Sequence, residues 1–231
     1  MAGGTPRSVI VTVVLAVLVA AGALGGAGVI RWRATETAST PTTSQKPPPS
    51  SVVGVSGCLV EPCKVVAKTS VGGTEVELVA DAGGHSGRLR IGGPTSGSVI
   101  EATITDVGVV LTPDSLQCVA GGPAACLIKG EHEGGIAGQI VVGRSDKWSA
   151  SETTYISDAG YLALANINGD SAPEVLAAQP MPCGRADCGV FMQVFGISGK
   201  VLGCTKEYPR VDRLPGYGSV KLTEAALTPC R

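Results

Sequence analysis

Aromatic side chains supply only 3% of this chain and charged ones only 16%. A core so poor in rings has to be aliphatic. No block rich in Lys or Arg occurs and the net charge is −1, which argues against a nucleic acid partner. Histidine is confined to His85 and His132, neither beside a cysteine. Structural zinc sites usually use tightly spaced cysteine pairs and often histidine, and the scarcity of imidazole turns the cysteines toward disulfides. No cysteine precedes Cys58, which excludes a lipid-modified cysteine as an anchor. Helical periodicity is almost missing after residue 52.

What the amino-terminal part does contain is an uncharged apolar run, Ser8 to Ile30. At about 1.5 Å per residue a helix of that length is roughly 35 Å long, enough to span a hydrocarbon core of about 30 Å. The run is read as a single transmembrane helix, with residues 1–7 as a cytoplasmic tail. Trp32, between Arg31 and Arg33, suits the membrane interface. The basic residues are nearly balanced across the run and do not orient it. The alternative is a cleaved secretory signal, with Ala21-Gly22-Ala23 as a small-residue cleavage site; the apolar cores of such signals are shorter, about 7–15 residues. Gly22 and Gly26 form a small-xxx-small spacing that would let two helices approach closely, an opening for a homodimer; a Gly- and Ala-rich chain also produces such spacings by chance.

Residues 31–51 are rich in Pro, Ser and Thr and cannot bury apolar surface. They form a linker able to hold the following domain up to about 50 Å from the bilayer. Residues 52–231 carry all eight cysteines, an even number that points to an oxidising compartment and orients the chain with its carboxy-terminal domain outside the cell membrane. Spacing suggests Cys58–Cys63, Cys118–Cys126 and Cys183–Cys188, each bracketing Gly or Pro, with Cys204 and Cys230 left to tie down the carboxy terminus.

The same domain reads as many short strands separated by Gly-rich turns, from Cys63–Ser70 to Lys200–Cys204. Val99–Thr105 and Val107–Thr112 are among the expected strands; Pro113–Leu116 and Thr223–Leu227 are expected helical turns. The pattern predicts an all-β ectodomain, either a small or degenerate β-propeller or a β-sandwich. Gly73–Ile91, Ala125–Trp148 and Ala172–Phe195 parallel one another faintly, and about four such units would fit a minimal propeller.

Tyr161 to Pro180, YLALANINGDSAPEVLAAQP, resembles one repeat of the FG-GAP, or integrin-type, β-propeller family. The resemblance implies a strand, a loop bearing oxygen ligands at Asn166, Asn168, Asp170 and Glu174, and a second strand over Val175–Ala178. In that family such loops often hold Ca²⁺, a hard cation served by several oxygens on a tight loop. Here Asn166 replaces the leading Asp, Ser171 replaces a Gly, and Glu174 closes the set. With two carboxylates left, Ca²⁺ is expected to bind weakly or not at all, and Asn166, Asn168 and Gly169 can equally be turn residues.

Gly84-His85-Ser86-Gly87 is compared with a nucleophile elbow, but Arg88 stands where the last glycine belongs, and a hairpin turn fits better. Glu131-His132-Glu133 lacks the spacing of a zinc-protease helix. Asp81 and Glu101 could meet in space, which sequence does not decide. No catalytic constellation stands out, so the domain is expected not to be an enzyme. The leading expectation is a non-catalytic, membrane-tethered domain that binds a protein or glycan of the cell envelope. The alternatives are an extracytoplasmic hydrolase with a site assembled from scattered residues, and a Ca²⁺-dependent adhesion or sensing module.

Overall fold

The computed structural model describes residues 60–95, 98–182, 188–218 and 220–230. The apolar run 8–30, the linker 31–51, Cys58 and Cys183 lie outside them. Among the described residues no helix is long and apolar enough to cross a membrane.

The regular structure of the described residues is mostly β, with a few short 3₁₀ helices. β1 (Lys64–Val71), β2 (Thr74–Ala80), β3 (Gly87–Ile91) and β4 (Ser98–Glu101) come first. β5 (Leu116–Val119), β6 (Ala124–His132), β7 (Gly135–Arg144) and β8 (Lys147–Ser157) follow. β9 (Leu162–Ala165), β10 (Glu174–Pro180), β11 (Val190–Gly196) and β12 (Val201–Cys204) close the series. Each group of four is one antiparallel sheet whose strands pair in chain order, because short Gly-rich turns return each strand beside its predecessor. Among the described residues there are three sheets, where the unit length suggested about four repeats. The three parallel sequence segments contain β2–β3, β6–β7 and β10–β11, the second and third strands of their respective sheets.

The side-chain period of two sorts the aliphatic residues into layers. In β6, Cys126 and Ile128 pack with Val76, Leu78 and Leu89 of the first sheet, while Ala125 and Leu127 pack with Leu164 and Val175 of the third. β7 divides likewise, Ala137 and Val141 facing one way and Ile140 and Val142 the other. The middle sheet is therefore covered on both faces. In β10, Val175 and Ala177 face the middle sheet, whereas Leu176 and Ala178 face the carboxy-terminal segment through Leu214 and Leu222. The first strands of successive sheets touch, β1 with β5 and β5 with β9.

Three glutamines stitch neighbouring elements together through their side-chain amides. Gln139 accepts from the Ile104 N–H at 3.3 Å and donates to the Glu101 carbonyl at 3.2 Å, joining the second sheet to the segment after β4. Gln117 makes the same two-handed contact with the backbone of Leu164, both bonds 3.1 Å. Gln179 donates to the Ile156 carbonyl at 2.7 Å and accepts from the Asp158 N–H at 3.3 Å. A primary amide offers a donor and an acceptor at the spacing of a peptide group, so each glutamine substitutes for a missing strand neighbour.

Two disulfides are seen between described cysteines. Cys118–Cys126 links directly opposed residues of β5 and β6. Cys204–Cys230 fastens the carboxy terminus to β12. Both are pairings that spacing suggested. Cys63 and Cys188 are also disulfide-bonded.

Two expected strands take another form. Val99–Thr105 is strand only over Ser98–Glu101 and then becomes a 3₁₀ helix, Thr103–Val107, ended by Gly108 at φ 89°. Val107–Thr112 forms no strand: Val109 and Leu111 bury individually in the first apolar layer. Helical turns occur at Pro113–Ser115 and Glu224–Ala226, within or close to the expected positions.

Candidate functional site

The loop between β9 and β10 contains Asn166, Asn168, Asp170 and Glu174, and the fold gathers them at one end of the third sheet. Asn166 Oδ1 accepts from the Gly169 N–H at 2.8 Å, and its amide donates to the Asp170 carbonyl. Asn168 Oδ1 accepts from the Asp170 N–H at 3.0 Å, and its amide donates to Asp170 Oδ2 at 3.0 Å. Asp170 Oδ1 accepts from the Ala172 N–H at 2.7 Å. Each side chain thus caps a backbone N–H of its own loop, and Gly169 takes the left-handed conformation the turn requires, at φ 74°.

Glu174 differs from its neighbours because it is buried, with 3% of its surface exposed. Its Oε2 accepts from the Ile167 N–H at 2.9 Å. Burial raises its carboxyl pKa above the ordinary value against the pull of that N–H, and the nearby carboxylates of Asp170 and Glu224 add to the rise. Among the described residues, no three His, Cys, Asp or Glu side chains gather in a geometry that could hold a metal ion. An ion on this loop would draw on Asp170 and Glu174 together with the amide oxygens of Asn166 and Asn168, each of which already accepts one backbone N–H.

Beside the loop lies a cleft of about 400 Å³, walled by Asn166 and Gly169 on one side and by Lys221, Leu222 and Thr223 on the other, with Leu176 also lining it. The carboxy-terminal segment is held there by Tyr161, whose hydroxyl donates to the Gly216 carbonyl at 2.8 Å and accepts from the Gly218 N–H at 3.4 Å. Tyr161 also packs on Tyr217, centroids 4.7 Å apart. The lining offers amide oxygens, one ammonium, one hydroxyl and an aliphatic wall. That inventory suits holding a ligand; it contains no nucleophile hydrogen-bonded to a base.

The other motifs singled out from sequence resolve as turns. Gly84 to Gly87 forms the link from β2 to β3, organised by Asp81. The Asp81 carboxylate accepts from Ser86 Oγ at 2.9 Å and from the N–H groups of His85 and Gly83 at 2.9 and 3.1 Å. Burial alone would push this carboxyl up, but those donors outweigh it and hold it below its ordinary value. No hydrogen bond joins an imidazole to a hydroxyl among the described residues. Glu101 ends β4 opposite Arg88, while Asp81 is engaged with its own turn. Glu131-His132-Glu133 forms the tip of the β6–β7 hairpin, with His132 Nε2 3.9 Å from Glu133 Oε2.

One region with potential function was not anticipated from sequence. A cleft of about 550 Å³ opens where the turns after β1, β5 and β7 converge, lined by Thr74, Gly122, Gly143, Arg144, Asp146 and Trp148 among others. Its signal in the sequence was Trp148, one of two tryptophans, next to the polar turn Arg144-Ser145-Asp146-Lys147. The site loop and this cleft share a wall: the Gly122 N–H donates to the Ser171 carbonyl at 2.7 Å, and Ser171 Oγ donates to the Gly122 carbonyl at 2.9 Å. Comparison with protein-family models, curated proteins and solved structures finds no match to this chain.

Proposed function

We propose that residues 52–231 are a non-catalytic binding domain displayed outside the cell and tethered to the membrane by residues 8–30. The observation that carries this reading is the oxidised state of the described cysteines on a chain whose front end is an uncharged apolar run. Disulfides persist in oxidising compartments, and a run of that length suits a bilayer. On this reading the three consecutive four-stranded meanders, stacked face to face with their first strands in contact, are blades of a small or degenerate propeller, and the segment from Tyr161 is an FG-GAP-like repeat. The open clefts, lined by turn residues with polar groups to spare, are where a protein or glycan of the envelope docks. The test is to express the full-length chain with an affinity tag, separate membrane from soluble fractions, and expose intact cells to an external protease. Membrane recovery with digestion of the domain supports the reading; recovery in the cytosol removes it.

A second reading is favoured by one observation, the placement of Asp170 and buried Glu174 on a single tight loop: a Ca²⁺-dependent adhesion or sensing module. Calcium titration followed by thermal unfolding separates the two. A melting temperature that rises with Ca²⁺ in the native chain and not in Asp170→Asn favours the sensing module. An unchanged value in both leaves the calcium-independent domain.

A further inference from the structure

We propose that the cleft at the open end of the layer between the first and second sheets binds a neutral saccharide, with Trp148 as its platform. This rests on the reading of the domain as an envelope-binding module and names its site and ligand class.

In a chain with so few aromatics, Trp148 is only partly buried and stands opposite Gly143 in the β7–β8 pairing. Its indole lies across that glycine: a Cβ there would stand 2.6, 2.7 and 2.8 Å from ring carbons. Gly143 therefore allows the ring to lie flat against the strand, where its inner edge joins the apolar layer and its remaining surface lines the cleft. The π face of an aromatic ring carries partial negative charge and attracts weakly positive C–H groups. A pyranose offers such a face of axial C–H groups, with hydroxyls around its rim.

The rim is supplied with partners. Trp148, Arg144, Asp146 and Thr74, which carry an indole N–H, a guanidinium, a carboxylate and a hydroxyl, all line the cleft. None of these groups forms a hydrogen bond or ion pair among the described residues. Donor and acceptor stand together, as a hydroxyl requires, since it both gives and takes a hydrogen bond. Glycines at 72, 121, 122 and 143 leave the intervening surface without side chains, so a ligand can approach the backbone. Charge narrows the class further. Arg144 and Asp146 offset one another two residues apart, which favours an uncharged polyol over a phosphate or a carboxylate. The volume of about 550 Å³ falls within the ordinary range for small-ligand sites, about 300–1,000 Å³.

The experiment uses the full-length chain in a detergent with no sugar headgroup, carrying Trp32→Phe so that Trp148 is its only tryptophan. Oligosaccharides of N-acetylglucosamine, glucose, galactose and arabinose are titrated while Trp148 emission is followed, and binding is measured independently by calorimetry. Saturable binding of at least one oligosaccharide is expected, with a shift in emission. Asp146→Ala and Arg144→Ala, on an exposed turn where folding does not depend on them, are expected to weaken it roughly tenfold each. Trp148→Phe is expected to retain part of the affinity. Failure of every oligosaccharide to bind overturns the inference, as does binding indifferent to the Arg144 and Asp146 variants. If no oligosaccharide binds yet the same chain captures an identified envelope protein at a stoichiometric ratio, the saccharide site fails and the binding-domain reading stands. If neither binds, both fail.

Discussion

Glu174 couples the candidate loop to pH. Its folded-state pKa is raised chiefly by burial, so the folded chain binds that proton more tightly than the unfolded one. Its contribution to stability is complete below the unfolded pKa and is lost as pH rises through the folded pKa. Glu174→Gln is expected to keep an acceptor for the Ile167 N–H while removing this pH dependence. Thermal unfolding across the mildly acidic range should be flatter for the variant, with a neutral-pH melting temperature at or above that of the native chain. Glu174→Ala instead strands the buried Ile167 N–H and is expected to cost about 1–3 kcal/mol. Asp81 runs the opposite way. Its lowered pKa stabilises the fold above the unfolded value, and that support is lost as pH falls through the folded value. Gln139 tests the stitching between sheets: Gln139→Leu leaves both the Ile104 N–H and the Glu101 carbonyl without their partner. It should destabilise by about 1–3 kcal/mol in chemical denaturation, whereas a merely apolar role for that position would leave stability unchanged.

Among the elements, the strands that were legible are those whose aliphatic residues recur at alternate positions or fill the strand continuously, such as β2, β7 and β10. β8, the longest at 11 residues, was invisible. It reads KWSASETTYIS, and most of it is exposed or half-buried, so no apolar alternation marks it. It is a strand because β7 offers it a ladder from Ile136 to Arg144, a tertiary cause. β5 escaped for a related reason: its four residues are all only partly buried, and pairing with β6 defines it. Val107–Thr112 misled in the other direction, since Val109 and Leu111 are buried without any strand partner. The candidate loop was legible residue by residue, because Asn, Gly and Asp at those positions specify a turn wherever they occur. The cleft at Trp148 was not, because it arises only where three turns distant in sequence converge. The wall that this cleft shares with the β9–β10 loop is tight at Gly121, where a Cβ would stand 2.2 Å from the Ser171 carbonyl oxygen. Gly121→Ala is therefore expected to lower the melting temperature and to loosen both the loop and the cleft wall, seen as faster amide exchange at Gly122.

For the molecule as a whole, cross-links supplement an aliphatic core with few large rings. Cys204–Cys230 closes a segment of 26 residues that packs Leu214 and Leu222 over the third sheet. Chain-entropy reasoning assigns such a loop about 3–4 kcal/mol. The paired change Cys204→Ser with Cys230→Ser should release the carboxy-terminal segment, lower stability by about that amount and part the rings of Tyr161 and Tyr217. The proposed compartment accounts for the disulfides: on that proposal the domain is oxidised because it is held outside a membrane. The most direct measurement treats intact cells with an impermeant protease, then alkylates the recovered full-length chain and maps its cysteines without reduction. The expected result is a membrane-bound chain whose domain is cut from outside and whose undigested copies yield Cys118–Cys126 and Cys204–Cys230 peptides with no alkylated cysteine. A protease-resistant chain, soluble in the cytosol with its thiols alkylated, would contradict it.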